Sequence, residues 1–154
     1  MLTIERVTIP TEAARVLVGE LDTVLSGAYP PEQRHGLSLD AIFQPHIHFF
    51  VAMMESEAAG CGGVALLDGF AEVKRIYVRS TWRGRGIAQA IMARLASVAI
   101  EHGYGLLRLE TGDVQFEALR FYEREGFTGC GPFGAYASLP PATITTSVFM
   151  EKAL

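Results

Sequence analysis

The chain has 154 residues, with 17 acidic and 13 basic side chains and a formal charge of −4 at pH 7. This length favours one domain, residues 1–154, whose core is large enough to need no disulfide or metal. The negative charge argues against non-specific nucleic-acid binding, and no apolar run of about 20 residues is present to span a membrane. The first ten residues lack the long apolar segment of a secretory signal. We therefore expect a soluble cytoplasmic protein.

The N-terminal half is predicted to contain a strand, two helices and three antiparallel strands. Apolar residues recur at helical spacing from Thr11 until the break at Tyr29-Pro30. A second short helix is predicted near Ser38. Asp68-Gly69, between two apolar runs, is typical of a tight hairpin. The predicted strands of this half are residues 2–9, 48–54, 60–67 and 70–78.

The C-terminal half alternates between helical and strand patterns. Apolar residues from Ile87 to Val98 predict a helix that ends before Gly103. The remaining predictions are a strand at 106–111, a helix at 114–125, and strands from Phe127 and at 145–150, with a Gly/Pro-rich loop at 129–141. The order β-α-α-β-β-β-α-β-α-β-β predicts an α/β (α+β) fold with a mixed sheet and helices on its faces.

The two cysteines, Cys61 and Cys130, are far apart and lack the spacing of a metal site, so we expect free thiols and no metal. The basic residues are unevenly spread along the chain. Positions 74 to 85 hold five of them, and a basic stretch in an acidic chain predicts a small anionic ligand at one place.

The most informative segment is Arg83-Gly84-Arg85-Gly86-Ile87-Ala88, which joins a predicted strand to a predicted helix. Glycine lets the backbone approach a ligand closely, and the first amides of a helix favour anions. Arg83 and Arg85 add positive charge, so a pyrophosphate fits here. The spacing is neither that of a dinucleotide-binding fingerprint nor that of a P-loop. A purely structural strand-to-helix turn is the alternative on these residues alone.

Two motifs together resemble the GNAT N-acetyltransferase superfamily. The segment from Arg83 to Ala88 resembles its Q/R-x-x-G-x-G/A signature. Phe121-Tyr122-Glu123-Arg124-Glu125-Gly126-Phe127 resembles its aromatic-Tyr-x-x-x-Gly-Phe signature, at the expected separation. Leu-Glu-Thr-Gly ahead of the tyrosine helix is similar to small stand-alone bacterial members. The resemblance implies a GNAT-like fold with acetyl-CoA held between two splayed parallel central strands.

The resemblance also implies which residues contact the cofactor. Backbone groups of Ile76 and Val78 would pair with pantetheine, a backbone N–H near Tyr77 would stabilise the oxyanion, and the amides of 85–88 would hold the pyrophosphate. Gln115 stands where the family often has asparagine, so that contact depends on a longer side chain. The expected cofactor-binding residues are Ile76, Tyr77, Val78, Arg83, Gly84, Arg85, Gly86, Ile87, Ala88, Gln115, Ala118 and Phe121.

Two residues are expected to be catalytic by the same resemblance. Tyr122 aligns with the family's helix tyrosine, whose hydroxyl points at the thioester sulfur, and would protonate the departing thiolate. Glu72 lies where several members place a catalytic glutamate and is the expected base. Alternatives are a water relay without a dedicated base, or an ordinary ion pair of Glu72 with Lys74 or Arg75. Weaker candidate bases are His35, His46 and His48.

The acceptor is expected opposite the cofactor, between the segments 29–37 and 129–141. Glu32 would bind an ammonium and Arg34 a carboxylate, although both residues also suit an ordinary surface. The expected substrate-binding residues are Tyr29, Glu32, Arg34 and Tyr136.

The favoured function is transfer of acetyl from acetyl-CoA to a primary amine of a small molecule, through a ternary complex. The alternatives are acetylation of a protein or peptide, at its N-terminus or a lysine, and a non-catalytic acetyl-CoA-binding module. A homodimer is expected from the resemblance, with the last strand as its natural contact element.

Overall fold

The computed structural model describes residues 1–154 as a seven-stranded mixed sheet with three α-helices. The strands are β1 (Leu2–Val7), β2 (Ile47–Met54), β3 (Glu57–Leu66), β4 (Ala71–Val78), β5 (Leu106–Gly112), β6 (Thr128–Cys130) and β7 (Ser147–Ala153). The helices are α1 (Glu12–Ala28), α2 (Ile87–Glu101) and α3 (Phe116–Arg124). The predicted fold class is confirmed.

The strand order is β1-β2-β3-β4-β5-β7-β6. Every neighbouring pair is antiparallel except β4 and β5, which are parallel. The predicted tight turn joins β3 to β4, and Gly69 adopts φ +85°, which a glycine tolerates without strain. Two halves of the sheet therefore meet at a single parallel junction in its middle.

The two faces of the sheet carry different helices because side chains alternate along each strand. On one face, Phe50 of β2 belongs to the larger hydrophobic cluster with Ile91 of α2 and Tyr122 of α3. On the other face, Phe49 belongs to a second cluster with Leu17 of α1. The helices α2 and α3 thus cover one face, and α1 covers the other.

The predicted second helix near Ser38 is wrong. The chain there forms two single 3₁₀ turns, Pro31–Gln33 and Ala41–Phe43, separated by irregular backbone. Only a few residues lie between Ser38 and Pro45, too few to offset the cost of nucleating an α-helix. One turn is enough to bury Ile42 against α1 and β2.

The last strand is internal, since β7 lies between β5 and the short edge strand β6. Its position in the sheet leaves β1 and β6 as the edges, so β7 does not offer the free edge expected of a contact element.

Both cysteines are free, as predicted, with Cys61 buried. No helix is long and apolar enough to cross a membrane.

Candidate active site

The parallel junction between β4 and β5 opens after only two paired positions. Ala71 pairs with Leu107 and Glu72 with Arg108, and no later residues of these strands pair with each other. Beyond Glu72, β4 continues beside β3 and β5 continues beside β7. The predicted splay is therefore present. Backbone N–H and C=O groups on the inner edge of β4 have no strand partner, which suits them to bind an extended ligand.

A cleft of about 540 Å³ lies at this opening, lined by residues of β4, α2, α3 and the middle of α1. Of the residues predicted to contact the cofactor, all except Arg85 line it. Arg85 is exposed, and its guanidinium lies 4.9 Å from the ring centre of Trp82. The structure thus brings together in one cleft the residues that two separate motifs indicated.

The glycine-rich turn ends in an open helix N-terminus. Gly86 is the N-cap of α2 in the left-handed conformation, with φ +75°, and no side chain caps the helix. The first intrahelical bond runs from the N–H of Ala90 to Gly86, so the amides of residues 87 to 89 have no helical partner. Arg83 stands at the rim, where its Nε donates to the Val78 carbonyl at 3.1 Å. This geometry suits a bound phosphate.

Tyr122 of α3 stands where the cleft meets a second cavity. Its side chain is buried, and its hydroxyl makes no hydrogen bond within the protein. Burial, and secondarily the charge of Glu110, raises the pKa of this phenol well above its usual value. Tyr122 is therefore a neutral phenol with its proton available for donation.

The second cavity, which we call the inner cavity, has a volume of about 130 Å³ and lies between α1, β4, β5 and the segment 33–36. Tyr122 and Gln115 line both it and the cofactor cleft, so the two spaces adjoin. Besides Tyr122, the predicted acceptor and catalytic residues that line the inner cavity are Tyr29, Arg34, Glu72 and Tyr136.

Three predicted candidates lie outside the inner cavity. Glu32 is exposed in the Pro31–Gln33 turn, which presents Gln33 and Arg34 to the cavity instead. His46 is exposed before β2, and the ring of His48 packs on His102 at 5.0 Å. His35 does line the cavity, and its Nε2 donates to the Thr143 carbonyl at 2.7 Å.

The first predicted acceptor segment, 29–37, is hydrogen-bonded to residues just beyond the second, between 143 and 146. Gln33 donates from Nε2 to Thr145 at 3.1 Å and accepts from Thr146 at 3.1 Å. At the other side, the hydroxyl of Tyr29 accepts from the N–H of Val114 at 2.9 Å. Gly112 allows this approach, since a Cβ there would lie 2.0 Å from the Tyr29 hydroxyl oxygen. The inner cavity is therefore roofed by braced segments.

Glu72 is buried on the floor of the inner cavity, and its carboxylate is already hydrogen-bonded to two side chains of the protein. Its Oε2 accepts from Lys74 Nζ at 3.0 Å and from the Tyr136 hydroxyl at 2.7 Å. Burial and the neighbouring Glu72 raise the pKa of Tyr136, which therefore stays protonated. The ion pair with Lys74 that the sequence left as an alternative is present.

A second carboxylate, Glu110, was missed by the sequence analysis as a site residue. It projects from β5 into the inner cavity and accepts from the Ser147 hydroxyl at 2.6 Å. Burial raises its pKa above the usual value, although the Ser147 hydrogen bond opposes this. The Leu-Glu-Thr-Gly run was its only signal, and β5, which contains it, runs parallel to the strand of Glu72.

A bulge in β4 directs two adjacent cations to the inner cavity. Gly63 pairs with Lys74 and Cys61 with Tyr77, so β4 has one extra residue there. Arg75 takes φ +56° at this point. In a regular strand Lys74 and Arg75 would face opposite sides, yet both line the same cavity. Functional sites are where such backbone distortions concentrate.

These features define the class of the protein. An extended cleft that ends at an open helix N-terminus adjoins a smaller polar cavity at a neutral tyrosine, which suits a transferase that moves an acyl group from coenzyme A to an acceptor. The profile of the Acetyltransferase (GNAT) family matches residues 18–127. The chain belongs to this family. It is an acetyltransferase, and acetyl-CoA is its co-substrate.

Individual relatives agree with this assignment. The chain is 37% identical to an IAA acetyltransferase of Azospirillum brasilense, over 99% of this chain and 98% of that protein. A putative acyl-CoA N-acyltransferase structure from Klebsiella pneumoniae superposes with a TM-score of 0.78 at 30% identity, covering 100% and 98% of the two chains. The PaiA N-acetyltransferase of Thermoplasma acidophilum, solved with coenzyme A, has the same fold, with a TM-score of 0.76 at 17% identity over 100% and 99% of the chains.

Proposed function

We propose that the protein acetylates the primary amine of a small molecule by direct transfer from acetyl-CoA within a ternary complex. The observation that carries this proposal is the junction at Tyr122. The cofactor cleft and the inner cavity adjoin there, so a thioester in one and an amine in the other come into contact. No covalent acetyl-enzyme is needed, because proximity alone removes much of the entropic barrier.

The size and bracing of the inner cavity favour a small acceptor. Its volume is about 130 Å³, and its roof is tied down through Gln33, His35 and Tyr29. A protein substrate needs an open groove, whereas the segment 29–37 is hydrogen-bonded to residues between 143 and 146 and to the loop before α3. The name of the Azospirillum relative, IAA acetyltransferase, is in keeping with a small acceptor.

The amine must lose a proton before it attacks. An alkyl ammonium has a pKa near 10, about three units above neutrality, and reaching the free amine costs roughly 4 kcal/mol at 1.36 kcal/mol per unit. Glu110 is our first choice of base, since its carboxylate has one hydroxyl donor and a raised pKa, which makes it a better proton acceptor. Glu72, the residue predicted from sequence, is the alternative, but it is held by Lys74 and Tyr136.

The transfer itself then requires charge stabilisation and a proton donor. The amine nitrogen attacks the thioester carbon, and the oxyanion that forms takes a hydrogen bond from a backbone N–H of β4 near Tyr77. As the tetrahedral intermediate collapses, the carbon–sulfur bond breaks and the thiolate takes the phenolic proton of Tyr122. The attacking nitrogen gives up its remaining excess proton to solvent as the amide forms, and solvent returns a proton to Tyr122.

The test is an acetylation screen of the purified protein with acetyl-CoA, in which released CoA thiol is measured. The panel contains small amines, amino acids and peptides of about ten residues with free N-termini and lysines. We expect turnover with small amines and little with peptides, and loss of the signal in Tyr122→Phe shows that it belongs to this site. Peptides that react as fast as the best small amine would contradict a small-molecule acceptor.

A further inference from the structure

The inner cavity contains one cation and one carboxylate that the protein does not pair. Lys74 pairs with Glu72, and Arg75 pairs with Asp22 of α1. Arg34 forms no ion pair, and its Nε is shielded from water without a hydrogen-bond partner. Glu110 has the Ser147 hydroxyl but no cation within ion-pairing distance. A guanidinium that is half removed from water and lacks a partner is unfavourable unless a ligand supplies one.

The unpaired cation lies at the end of the inner cavity that is remote from the cofactor. Arg34, Gly36 and Arg75 line the inner cavity and also a third, polar cavity of about 360 Å³ beside α1. None of the three lines the cofactor cleft. The inner cavity therefore runs from Tyr122, where the acetyl group arrives, to a boundary made of two arginines.

Arg75 strengthens the positive end of the inner cavity. Its side chain is only 3% exposed, its Nη2 bonds to Asp22 and to the Val18 carbonyl, and its Nε has no partner. Gly36 presses on this guanidinium, since a Cβ at that position would lie 2.1 Å from Nη1. Asp22 is more than half exposed, so it only partly offsets the Arg75 charge at the cavity wall.

We propose that the acceptor is an amine that also carries a carboxylate, that is, a molecule of the amino-acid class. Its carboxylate binds the guanidinium of Arg34, with Arg75 adding positive charge, and its amine lies at the Glu110 and Tyr122 end. Guanidinium and carboxylate match in planar, bidentate geometry, which gives both energy and orientation. A polyamine would instead place its second cation against two arginines, which like-charge repulsion disfavours. This assignment rests on the proposed function and narrows its substrate.

The experiment compares matched acceptor pairs. Each pair is an amino acid and the amine left when its carboxylate is removed, and the readout is kcat/KM from CoA release. In the wild-type protein we expect a preference for the acid of at least about tenfold, which is the low end for a charge-assisted hydrogen bond in a cavity. In Arg34→Met this preference, the ratio of the two kcat/KM values, falls to near one. Arg34→Lys keeps the positive charge but not the planar guanidinium, so it recovers part of the preference.

The control is Arg120→Met, which removes an exposed arginine of α3 that lines none of the three cavities. Its preference ratio and melting temperature should equal those of the wild type, and the melting temperature of Arg34→Met checks its fold. Equal use of acids and amines by the wild type, or an unchanged ratio in Arg34→Met, overturns the carboxylate assignment and leaves the acetyltransfer proposal standing. No release of CoA with any amine overturns the proposed function itself.

Discussion

The phenol of Tyr136 donates a 2.7 Å hydrogen bond to Oε2 of Glu72, a residue 64 positions away in the chain. This bond joins the loop before β7 to the floor of the inner cavity. Tyr136 is held there by Phe133 and Phe149, whose ring centres both lie 5.2 Å from its own. The inner cavity is thus closed on this side by a side chain that packs in a hydrophobic cluster and also hydrogen-bonds to the cavity floor.

Acetyl-CoA should raise the melting temperature, and NAD should not. A ligand that binds only the folded state at a hundredfold excess over Kd stabilises it by about 2.7 kcal/mol. The physical basis is the cleft at the open N-terminus of α2 and the unpaired edge of β4. Differential scanning fluorimetry with each nucleotide measures the effect, and stabilisation by NAD but not by acetyl-CoA would contradict the assignment of the cleft to acetyl-CoA.

Gly86→Ala should weaken CoA binding at least about tenfold, because the Cβ would stand at the helix N-terminus where the pyrophosphate is expected. The matched control is Gly69→Ala in the β3–β4 turn. Both glycines have positive φ, +75° and +85°, and at both an added Cβ meets nothing within 4 Å. Both variants should therefore lose a similar stability, on the order of 1 kcal/mol. Calorimetric titration with CoA should find the affinity loss in Gly86→Ala only.

Tyr122→Phe should lower kcat and kcat/KM together by on the order of 10²-fold, since it removes a proton donor used only as the carbon–sulfur bond breaks. The hydroxyl makes no hydrogen bond in the protein, so the melting temperature and the affinity for acetyl-CoA should barely change. A thiol has a pKa near 8.5, which makes thiolate a tolerable leaving group and leaves residual activity. A wild-type kcat in this variant would end the assignment of Tyr122 as the acid.

Glu110→Gln should lower kcat strongly at neutral pH and recover at high pH, where the amine loses its proton unaided. Glutamine keeps the shape and can still accept from Ser147. Glu72→Gln is the comparison, and it should disturb Lys74 and Tyr136 rather than the pH profile. We expect the ratio of variant to wild-type kcat to rise between pH 6 and 10 for Glu110→Gln only. A rise for Glu72→Gln instead would return the base role to Glu72, and flat ratios for both would favour a water relay.

Glu110→Gln should raise the stability of the folded protein at pH 7, although it lowers activity. Burial raises the pKa of this carboxyl above its usual value of 4.5, so the folded state binds the proton more tightly than the unfolded state. The folded chain is therefore penalised as pH rises through the raised pKa, and the penalty vanishes below about 4.5. Glu110→Gln should melt above the wild type at pH 7 and show no such gain at pH 4. A variant that is less stable at pH 7 would contradict burial as the dominant cause.

Local patterns in the sequence were sufficient for most of the elements and for the cofactor cleft. Three of these features are each encoded within about ten residues: the hairpin at Gly69, the turn at Gly86 and the tyrosine helix. Over that distance, backbone φ preferences, helix periodicity and helix capping determine the local structure. The second early helix was wrong because Leu39, Ile42 and Phe43 have helical spacing, but the segment is too short to form more than one turn.

The sequence alone determined the class of the protein, because each of its two signatures is a short continuous segment. A few residues within each segment are enough to specify its backbone or helix geometry. Only the tertiary structure decided which charged side chains meet in the inner cavity. Glu110 was placed beside Tyr122 by the splay of two parallel strands, and Arg34 and Arg75 were brought to one cavity by a turn and a β-bulge. Whether a charge is paired can depend on neighbours distant in the chain, as the ion pair of Arg75 with Asp22 shows. Such long-range placement results from packing, and no local pattern encodes it.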